Sequence, residues 1–411
     1  MLYDYDLLIG GGGLAGNCLA LALKECGLKI AIIEALSREQ LQNSPAGDRA
    51  LALAAGTVAL LDDLGAWQQA KKHAAAIEHI HVSDKGHFGK TRLSAKQQGV
   101  EALGYVITAR DIESHVAQLV ADAGITQICP ARIIGLSTSS EAVHVSLHSH
   151  QDLPGFKNEE GLNVTARLLV GADGGESTIR KLLEIAQHRT DYGQTALVTT
   201  VKTYLPHQNT AYERFTEFGP LAVLPLKKHL ASVVWTRSHE QAADLMAYGE
   251  KEFMAQLQEC FGYRLGELTL AAPRRAFPLT LIRAEQMLAQ RTVIIGNAVH
   301  QLHPVAGQGF NLGLRDVVQL AQMLKTQQQQ GGDIGADDFL QNYAKLRLKD
   351  HDRVIHLTDS LVKIFSTPTL SIAAARNLGL TLLDHIPAAK NLLARQAMGL
   401  MANLPALDVN N

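Results

Sequence analysis

An α/β fold is predicted from three observations on the sequence. A buried strand, a glycine cluster and a helical stretch open the chain, at Asp6–Ile9, Gly10–Gly13 and about Leu14–Cys26. Two later apolar runs of strand length, around Val170 and at Thr292–Ile295, also lead into loops that contain glycine. Third, the last part of the chain has a helical pattern. We therefore expect a Rossmann-type domain with an inserted mixed β-sheet and a C-terminal helical segment.

The remaining elements follow in order from hydrophobic periodicity. Gly27 ends the first helix, and Lys29–Glu34 is predicted to be a second buried strand. A hairpin and two alternating strands are predicted at His79–Leu93, Thr195–Thr203 and Gly219–Arg237. Helices are predicted at about Leu51–His73, at Asp111–Ala123, at Lys251–Cys260, from about Leu312, and over Asp337–Leu404, where Pro368 and Pro387 divide the pattern.

Composition excludes several classes of protein. The 411 residues suggest two domains, and 46% hydrophobic with 19% charged residues is normal for a globular chain. A net charge of −2 gives no basic field, so nucleic acid is not an expected partner. Cys18, Cys26, Cys129 and Cys260 show no metal-type spacing and are expected to be free thiols. Without a basic leader or a long apolar window, we expect a cytoplasmic protein, and its mean hydropathy near zero is compatible with work at the inner membrane surface.

The first glycine loop has the spacing of a dinucleotide-binding fingerprint. Gly11, Gly13 and Gly16 lie between a strand and a helix, and Glu34 ends the next strand. Gly11 allows a tight turn, Gly13 lets the backbone approach a pyrophosphate, and Gly16 permits close helix–strand packing. Glu34 can accept hydrogen bonds from ribose hydroxyls, and the helix N-terminus favours phosphate. The alternative is an ordinary glycine turn.

The second loop carries an acid. The buried strand that ends at Val170 runs into Gly171-Ala172-Asp173-Gly174 and then into a helix start. Asp173 is interpreted either as a cofactor-binding acid or as a simple turn former.

The third loop, Gly296–Asn311, is suited to a planar ring. Pro304, Gly307 and Gly309 can bring backbone N–H groups against such a ring, and Asn311 is predicted to be the N-cap of the helix that follows. For a flavin, these donors and the helix dipole would stabilise the charge of the reduced pyrimidine edge.

Two histidines of this loop, His300 and His303, precede its Pro304–Asn311 part. As a metal pair they have no third ligand nearby in the sequence, so no metal site is predicted. We expect one of them to pack or hydrogen-bond within the loop; the alternative is a role near the ring.

Taken together, the three loops resemble those of the class A flavoprotein monooxygenases, the group that includes p-hydroxybenzoate hydroxylase. The stretches His81–Gly89, Tyr212–Leu226 and Gly296–Asp316 are similar to the hydroxylases of ubiquinone biosynthesis, and among those to the ones that act on 2-polyprenyl-6-methoxyphenol. The resemblance covers about residues 5–400. It implies an FAD-binding domain made of 1–75, 100–188 and 286–340, a substrate-binding sheet made of 76–99 and 189–285, and a helical region at 341–411.

The resemblance also assigns residues to the cofactor. One departure is Gly296-Asn297, where the family usually has Gly-Asp; the asparagine carbonyl can still accept a hydrogen bond from the ribityl chain. Arg180 is expected to brace the second loop. The flavin-ring loop, with no protein nucleophile, is expected to comprise Pro304, Gly307, Gln308 and Gly309. The expected FAD contacts are Gly11, Gly13, Gly16, Glu34, Arg49, Arg110, Asp173, Gly174, Asn297, Gly309, Phe310 and Asn311.

The implied chemistry is aromatic hydroxylation. NAD(P)H, bound transiently, reduces FAD; O₂ then gives a flavin C4a-hydroperoxide, which a phenol attacks. The substrate is expected to be a prenylated phenol lying on the inserted sheet, and Leu221, Val223, Leu224 and Leu226 line a tail channel or simply fill a core. The C-terminal helices either cap the core or contact the membrane or a quinone-synthesis complex.

Two alternatives remain open at this point. One is a flavin hydroxylase of another ring position or of a soluble phenol. The other is a non-catalytic scaffold that binds FAD and lipid; the intact Pro304–Asn311 loop and Asp173 favour an enzyme instead.

Overall fold

The structure is a computed structural model that describes residues 3–86, 89–149, 162–302, 307–366 and 386–400. Its strands are β1 Tyr5–Gly10, β2 Ile30–Ile33, β3 Ala50–Ala54, β4 Ala75–Ile77, β5 His79–Asp84, β6 Lys90–Ser94, β7 Gly104–Thr108, β8 Thr126–Ile128, β9 Arg132–Thr138, β10 Val143–His148, β11 Leu162–Gly171, β12 Gln187–Thr203, β13 Thr210–Thr216, β14 Gly219–Pro225, β15 Leu230–Ser238, β16 Leu268–Leu270, β17 Arg275–Ala284, β18 Leu288–Ala289, β19 Thr292–Ile294 and β20 His300–Gln301.

Helices connect and cover these strands. They are α1 Leu14–Ala22, α2 Arg38–Gln42, α3 Ala55–Asp63, α4 Trp67–Ala70, α5 Ala95–Gln98, α6 Ala109–Asp122, α7 Thr178–Leu182, α8 His239–Ala247, α9 Glu250–Phe261, α10 Gln308–Gln329, α11 Asp337–Ser366 and α12 Pro387–Ala397. Short 3-10 turns lie at Pro45–Asp48 and Gly296–Ala298.

The first sheet has the parallel core expected of a Rossmann-type domain. Its strands run in the order β18-β19-β11-β1-β2-β8, with β10 and β9 added as an antiparallel extension. Helix α1 packs against both α6 and α10 beside this sheet. Leu7, Leu8 and Ile9 of β1 are fully buried, which explains why this strand reads as a continuous apolar run. The chain leaves β1 for β2 on one side and later returns to β11 on the other, so β1 marks a topological switch point.

The second sheet is mixed, as predicted. It runs in the order β20-β17-β12-β15-β14-β13-β5-β6, and its pairs are antiparallel except for β13 with β5. One face packs on α8 and α9 around Trp235, Phe253 and Phe261, all of which are buried. The opposite face of this sheet is turned towards the loops of the first sheet and lines a cavity between them.

Two element predictions were wrong in part, and one strand was not predicted. The segment Leu51–Ala54 belongs to β3 rather than to a helix, because it pairs with β7 in a small sheet. Strand β7 lies about fifty residues further along the chain, so the local sequence does not show this pairing. Strand β13, inside a stretch noted only for its resemblance, was not predicted. Helix α10 begins at Gln308, four residues before the predicted start near Leu312. In each case a tertiary partner decides the backbone conformation.

The C-terminal region is helical wherever it is described. Helix α11 runs over Asp337–Ser366, and Pro387 begins α12 rather than ending a helix, which suits proline because its missing N–H has no partner there anyway. The predicted break at Pro368 lies outside the described residues. Ala394 and Met398 pack on Ile77 and Leu103, which anchors α12 over the cavity.

Candidate active site

The three glycine-containing loops meet at one edge of the first sheet. Gly10 of β1 is in register with Ile33 of β2 and with Gly171 of β11, and Gly171 is in register with Ile294 of β19. Because these strands are parallel, the loops that follow them all leave from the same edge. The sheet thus brings together segments that are separated by about three hundred residues in the sequence.

The first loop has the backbone that the fingerprint predicts. Gly11 has φ +111°, and a Cβ on it would overlap the backbone of Ala172. A Cβ on Gly16 would collide with the carbonyl oxygen of Gly11. Gly13, the N-cap of α1, differs from both, because a Cβ there would meet nothing within 4 Å and would point into open space. The first two glycines therefore shape the loop, whereas Gly13 leaves room for a ligand.

Glu34 holds the loop from the next strand. One carboxylate oxygen accepts the N–H of Gly12 at 2.8 Å, and the other accepts the N–H of Leu36 at 2.8 Å. Each oxygen has a second lone-pair direction, and the side chain lines the cavity, so the hydroxyls of a ribose can still donate to it.

The second loop is braced as predicted and has one free acceptor. Asp173 Oδ2 accepts the N–H of Ile179, while Oδ1 is buried without a hydrogen-bond partner. Arg180, at 1% exposure, donates to the carbonyls of Ala298 and Gly175 and so joins the second loop to the third. The buried Oδ1 lacks a donor that a bound hydroxyl or amide would supply.

In the third loop Asn311 does not have the predicted N-cap role. Gly307, with φ +61°, is the N-cap of α10, and Asn311 lies one turn inside the helix. Its Oδ1 accepts the N–H of Ala54 at 3.1 Å and the hydroxyl of Thr57 at 2.6 Å, while Nδ2 donates to the carbonyls of Ala52 and Gly307. Asn311 therefore fastens the third loop to β3. Its short polar side chain suggested a cap, but burial against β3 provides other partners.

A cavity of about 1770 Å³ joins these loops to the second sheet. This exceeds the roughly 300–1,000 Å³ of a typical ligand pocket, so a dinucleotide and a second molecule can share it. Gly16, Gln308 and Arg110 are not among its lining residues; Arg110 pairs with Asp48 at 2.6 Å. Pro304, with His303, lies outside the described residues. The predicted site residues that do line it are Gly11, Gly13, Glu34, Arg49, Asp173, Gly174, Asn297, Gly307, Gly309, Phe310 and Asn311.

On the sheet side, the floor of the cavity follows the two-residue period of the strands. Leu221 and Val223 face the other way, into the core covered by α8 and α9, so they do not line a channel. Leu224 lines the cavity, and Leu226 packs beside α12. The neighbouring cavity-facing residues are Val82, Ala196, Val198, Phe215, Ala222, Val234 and Phe277, which make this floor largely apolar.

A buried polar cluster that the sequence did not predict lies behind the third loop. Asp316 of α10 is fully buried and accepts four hydrogen bonds, from the N–H of Gly296 at 3.0 Å, His300 Nε2 at 3.2 Å, Arg347 Nε at 2.7 Å and His351 Nε2 at 2.6 Å. His300 thus has acidic and histidine neighbours that its local sequence did not reveal. The partners come from α11, so only the fold could show them.

The electrostatics of this cluster favour a charged Asp316. Burial by itself would raise the pKa of this carboxyl, but interactions with His351 and Arg347 outweigh burial and hold the pKa well below its usual range. Burial lowers the pKa of His300, and the hydrogen bond from His300 to Asp316 opposes this lowering only in part. Asp316 raises the pKa of the Arg347 guanidinium against the effect of burial. The Arg347 guanidinium contacts the Asp316 carboxylate directly, so their opposite charges compensate each other within this cluster. Asp316 also accepts the N–H of Gly296 and so fixes the backbone at the start of the third loop.

Comparison with known proteins decides the family. A family described as an FAD binding domain matches residues 4–357. The chain belongs to this family. It is 35% identical to the ubiquinone hydroxylase UbiL of Rhodospirillum rubrum, over 96% of this chain and 89% of that protein. It is 29% identical to the 3-demethoxyubiquinol 3-hydroxylase of Escherichia coli, over 96% of this chain and 98% of that protein. Similarity to hydroxylases of ubiquinone biosynthesis, inferred above from three stretches, is thereby confirmed.

The solved structures confirm the fold. The p-nitrophenol 4-monooxygenase PnpA from Pseudomonas putida superposes with a TM-score of 0.78 at 17% identity, covering 97% of this chain and 99% of that one. This member of the FAD-binding family is therefore a flavoprotein hydroxylase with the fold of an aromatic monooxygenase, and NAD(P)H is the usual electron donor of such enzymes.

The residues present fit FAD. Gly13 with open space at its Cβ, Glu34, and Asp173 with its unpartnered Oδ1 all line the same cavity. Phosphates would lie at the N-terminus of α1, where the helix dipole and free N–H groups favour negative charge. The flavin ring would lie towards Gly307 and β3, beside the second sheet. Bound FAD supplies the reduction of O₂ and the electrophilic oxygen; the protein binds, orients and shields.

Proposed function

We propose that this enzyme adds a hydroxyl group to the ring of a polyprenylated phenol on the route to ubiquinone. One atom of O₂ enters the ring, the other leaves as water, and NAD(P)H supplies the two electrons. The observation that carries the proposal is the near full-length similarity to proteins named as ubiquinone hydroxylases. Of these three names, one states a ring position and two state none, so the experiments below determine which carbon is hydroxylated.

The shape and polarity of the cavity support a substrate with a long apolar tail. The cavity continues from the third loop over the floor made by β12–β15 and reaches Leu393 and Ala397 of α12. Its volume leaves room beside a dinucleotide, and apolar side chains dominate the floor. Each buried CH₂ of a prenyl chain contributes about 0.8 kcal/mol to binding, so even a few isoprene units stabilise the complex considerably.

The first prediction concerns product formation by the purified holoenzyme. With NAD(P)H and ¹⁸O₂, we expect a 2-polyprenyl-6-methoxyphenol to gain one ¹⁸O atom on its ring. The same phenol without the prenyl chain should react with a kcat/KM at least about 100-fold lower, because it loses the apolar contacts of the floor. Mass spectrometry of the products gives both results.

Deletion of the gene provides the matching test in the cell. We expect the strain to accumulate a polyprenyl-methoxyphenol precursor. Accumulation of a polyprenylphenol that lacks another ring hydroxyl would contradict the assignment of this substrate. Equal kcat/KM values for the prenylated and unprenylated phenols would instead support a hydroxylase of soluble phenols.

We further propose that α12 places the enzyme on the membrane that contains the prenylated substrate. Among the described residues, no helix combines the length and the apolar character that crossing a bilayer requires. Ile386, Leu392 and Leu400 are 46%, 56% and 42% exposed, next to the basic residues Lys390 and Arg395. Exposed leucines beside lysine and arginine suit the interface of an anionic membrane. Since Leu393, on the inner side of the same helix, lines the cavity, a membrane there would lie close to the substrate entrance.

The second prediction tests this surface directly. Flotation with vesicles of anionic phospholipid should recover the wild-type enzyme, and the L392E/L400E variant should bind at least about tenfold more weakly, because it exchanges apolar contacts for repulsion. The control is L346E/L348E, which changes two leucines of α11 that are 53% and 40% exposed. Equal loss in both variants, or no binding of the wild type, would contradict a membrane role for α12.

A further inference from the structure

One carboxylate stands on the apolar floor of the cavity. Glu213 is in the middle of β13, in register with Ala222 of β14 and Val82 of β5. All three residues line the cavity. Among the described residues, Glu213 is the one carboxylate that the second sheet contributes to the cavity. It is therefore positioned where the aromatic part of a substrate would lie between the flavin loops and the sheet.

This carboxylate has no partner among the residues that the structure describes. No hydrogen bond or ion pair joins Glu213 to another residue in the described parts of the chain. Burial raises its pKa to about 7, with no charged neighbour among the causes. Buried carboxyl groups without partners are rare because their desolvation is uncompensated. A pKa poised near neutrality in a cleft is typical of a group that exchanges protons with a ligand.

The charged groups on the elements next to β13 face other partners. Arg214, the next residue of β13, donates to the carbonyl of Phe261 on the helix-covered side of the sheet. His81 of β5 contacts Arg264 on that side, and Arg92 of β6 is in register with His81.

The remaining charged groups around the cavity are also placed away from the middle of β13. Asp84 is buried at the end of β5, opposite Phe215. On α11, which packs against β13 and β14, Asp359 is hydrogen-bonded to Tyr192. Arg49 and Arg132 line the cavity beside the nucleotide loops, and Arg395 of α12 is exposed.

We propose that Glu213 is the catalytic base of the hydroxylation, which accepts a hydrogen bond and then the proton from the phenolic hydroxyl of the substrate. The assignment rests on the proposed function, because it requires a phenol as substrate. The other carboxyl groups that line the cavity lie on its nucleotide side, away from the floor: Glu34 and Asp173 belong to the glycine loops, and Glu113 of α6 lies near Arg49, Arg110 and Glu34. The cavity residues next to Glu213 are apolar, so a phenol bound against them is the donor that would satisfy this carboxylate.

The proton transfer is balanced without a further reactant. The phenol O–H bond breaks, a new O–H bond forms on Glu213, and the electron pair left on the phenolic oxygen raises the electron density at the ortho and para carbons. Those carbons then react more readily with the electrophilic oxygen that the reduced cofactor and O₂ supply. A free phenol has a pKa near 10, so transfer to Glu213 advances as the ring begins to form its new bond.

The third prediction is the effect of E213Q, which keeps the shape but removes the base. We expect FAD content and reduction by NAD(P)H to stay within about twofold of wild type, while hydroxylated product per NAD(P)H falls at least about 100-fold. The wild-type hydroxylation rate should rise with pH through about 7, and this limb should be absent in E213Q. The matched control is E217Q, in the exposed turn directly after β13, which should behave as wild type.

Thermal stability separates a catalytic role from a structural one. The pKa of Glu213 is raised above its ordinary value of 4.5, so the stability that protonation contributes is complete below about pH 4.5 and is lost as pH rises through about 7. Since glutamine does not ionise, E213Q should melt at a higher temperature than wild type at pH 8 and show little difference at pH 4.5. A residue kept for the fold would melt lower when it is replaced.

The possible results are distinguishable from one another. Product formation by E213Q at the wild-type rate, or an unchanged pH profile, overturns the role of Glu213 even when the wild type hydroxylates the phenol. When the wild type hydroxylates none of the phenols, binding of 2-methoxyphenol decides instead. At pH 8, at least about fivefold tighter binding of 2-methoxyphenol by the wild type than by E213Q supports a hydrogen bond from the phenol to the Glu213 carboxylate and contradicts only the proposed substrate. Equal affinity of the two proteins overturns the inference.

Discussion

The Gly13→Val variant is expected to fold and to lose FAD. In the described structure a Cβ at this position meets nothing within 4 Å, and the backbone has φ −76° and ψ −172°, which valine adopts without strain. The two added methyl groups would instead occupy the space in which a pyrophosphate approaches the N-terminus of α1. Losing two charge-assisted hydrogen bonds there costs about 3–6 kcal/mol, or roughly 10²–10⁴-fold in affinity. Flavin absorbance of the purified protein and titration of the apoprotein with FAD measure the change.

The chain offers a closely matched control for this variant. Gly249 is also the N-cap of a helix, α9, with φ −61° and ψ 161° and with open space at its Cβ, but it does not line the cavity. Gly249→Val should therefore show the same small cost of valine at an N-cap and full FAD content. If Gly13→Val retains FAD as well as Gly249→Val does, the phosphates do not bind at α1, and the assignment of the first loop is wrong.

The Asp316→Asn variant is expected to lose about 3–5 kcal/mol of unfolding free energy at neutral pH. Asp316 is fully buried, and both of its oxygens accept hydrogen bonds, Oδ1 from Arg347 and His351 and Oδ2 from Gly296 and His300. An asparagine amide group would direct its own donors at one of these pairs and would leave Arg347 with Asp350 as its remaining carboxylate partner. Denaturant unfolding with FAD present and absent gives the loss.

The effect of this variant should depend on pH in one direction. The folded pKa of Asp316 lies well below its ordinary value of 3.8, so its stabilisation is complete above about pH 3.8 and declines as pH falls further. The difference between wild type and variant should accordingly shrink only in acid. Asp244→Asn, at an exposed position of α8, is the control and should change stability by less than about 0.5 kcal/mol. A loss of similar size in both variants would contradict a structural role for the cluster around Asp316.

Asp316 also links stability to cofactor binding. Its Oδ2 holds the N–H of Gly296, the residue before Asn297 in the third loop. Release of this contact should weaken FAD binding as well as stability. A variant that loses stability but binds FAD with unchanged affinity would show that the third loop keeps its geometry without the cluster.

Much of the first sheet was predictable because its signals are local. The strand of Leu7–Ile9 is apolar throughout. Gly11, Gly13 and Gly16 are needed because the local backbone leaves no room there for a side chain or must approach a phosphate. The structure shows these glycines in the expected conformations. By contrast β3 and β13 depend on partners distant in the chain, and their short sequences fit a helix or a loop equally well. The residue boundaries given for the domains stay a prediction.

The candidate site was likewise predictable from the sequence only in part. Arg180 braces the second loop as expected, and most of the predicted cofactor residues line one cavity. Asn311 was wrongly predicted to be an N-cap. A short amide side chain can either cap a helix or hydrogen-bond to a neighbouring strand, and only the position of β3 shows that Asn311 does the second. Because side chains alternate between the two faces of a strand, Leu224 lines the cavity and Leu221 lies in the opposite core. A shift of the strand register by one residue would exchange these two faces, so the sequence could not decide between them.

By itself the sequence identified the glycine-containing loops that meet at one edge of the first sheet, since glycine spacing and an acid at the end of a strand are properties of a short segment. Only the tertiary structure decided where Glu213 and Asp316 lie. Glu213 needed the pairing of β13 with β5 and β14 to place it on the cavity floor, and Asp316 needed α11 to bring Arg347 and His351 to it. The physical reason is that the state and partners of a buried charge depend on the groups packed around it, and these come from distant parts of the chain.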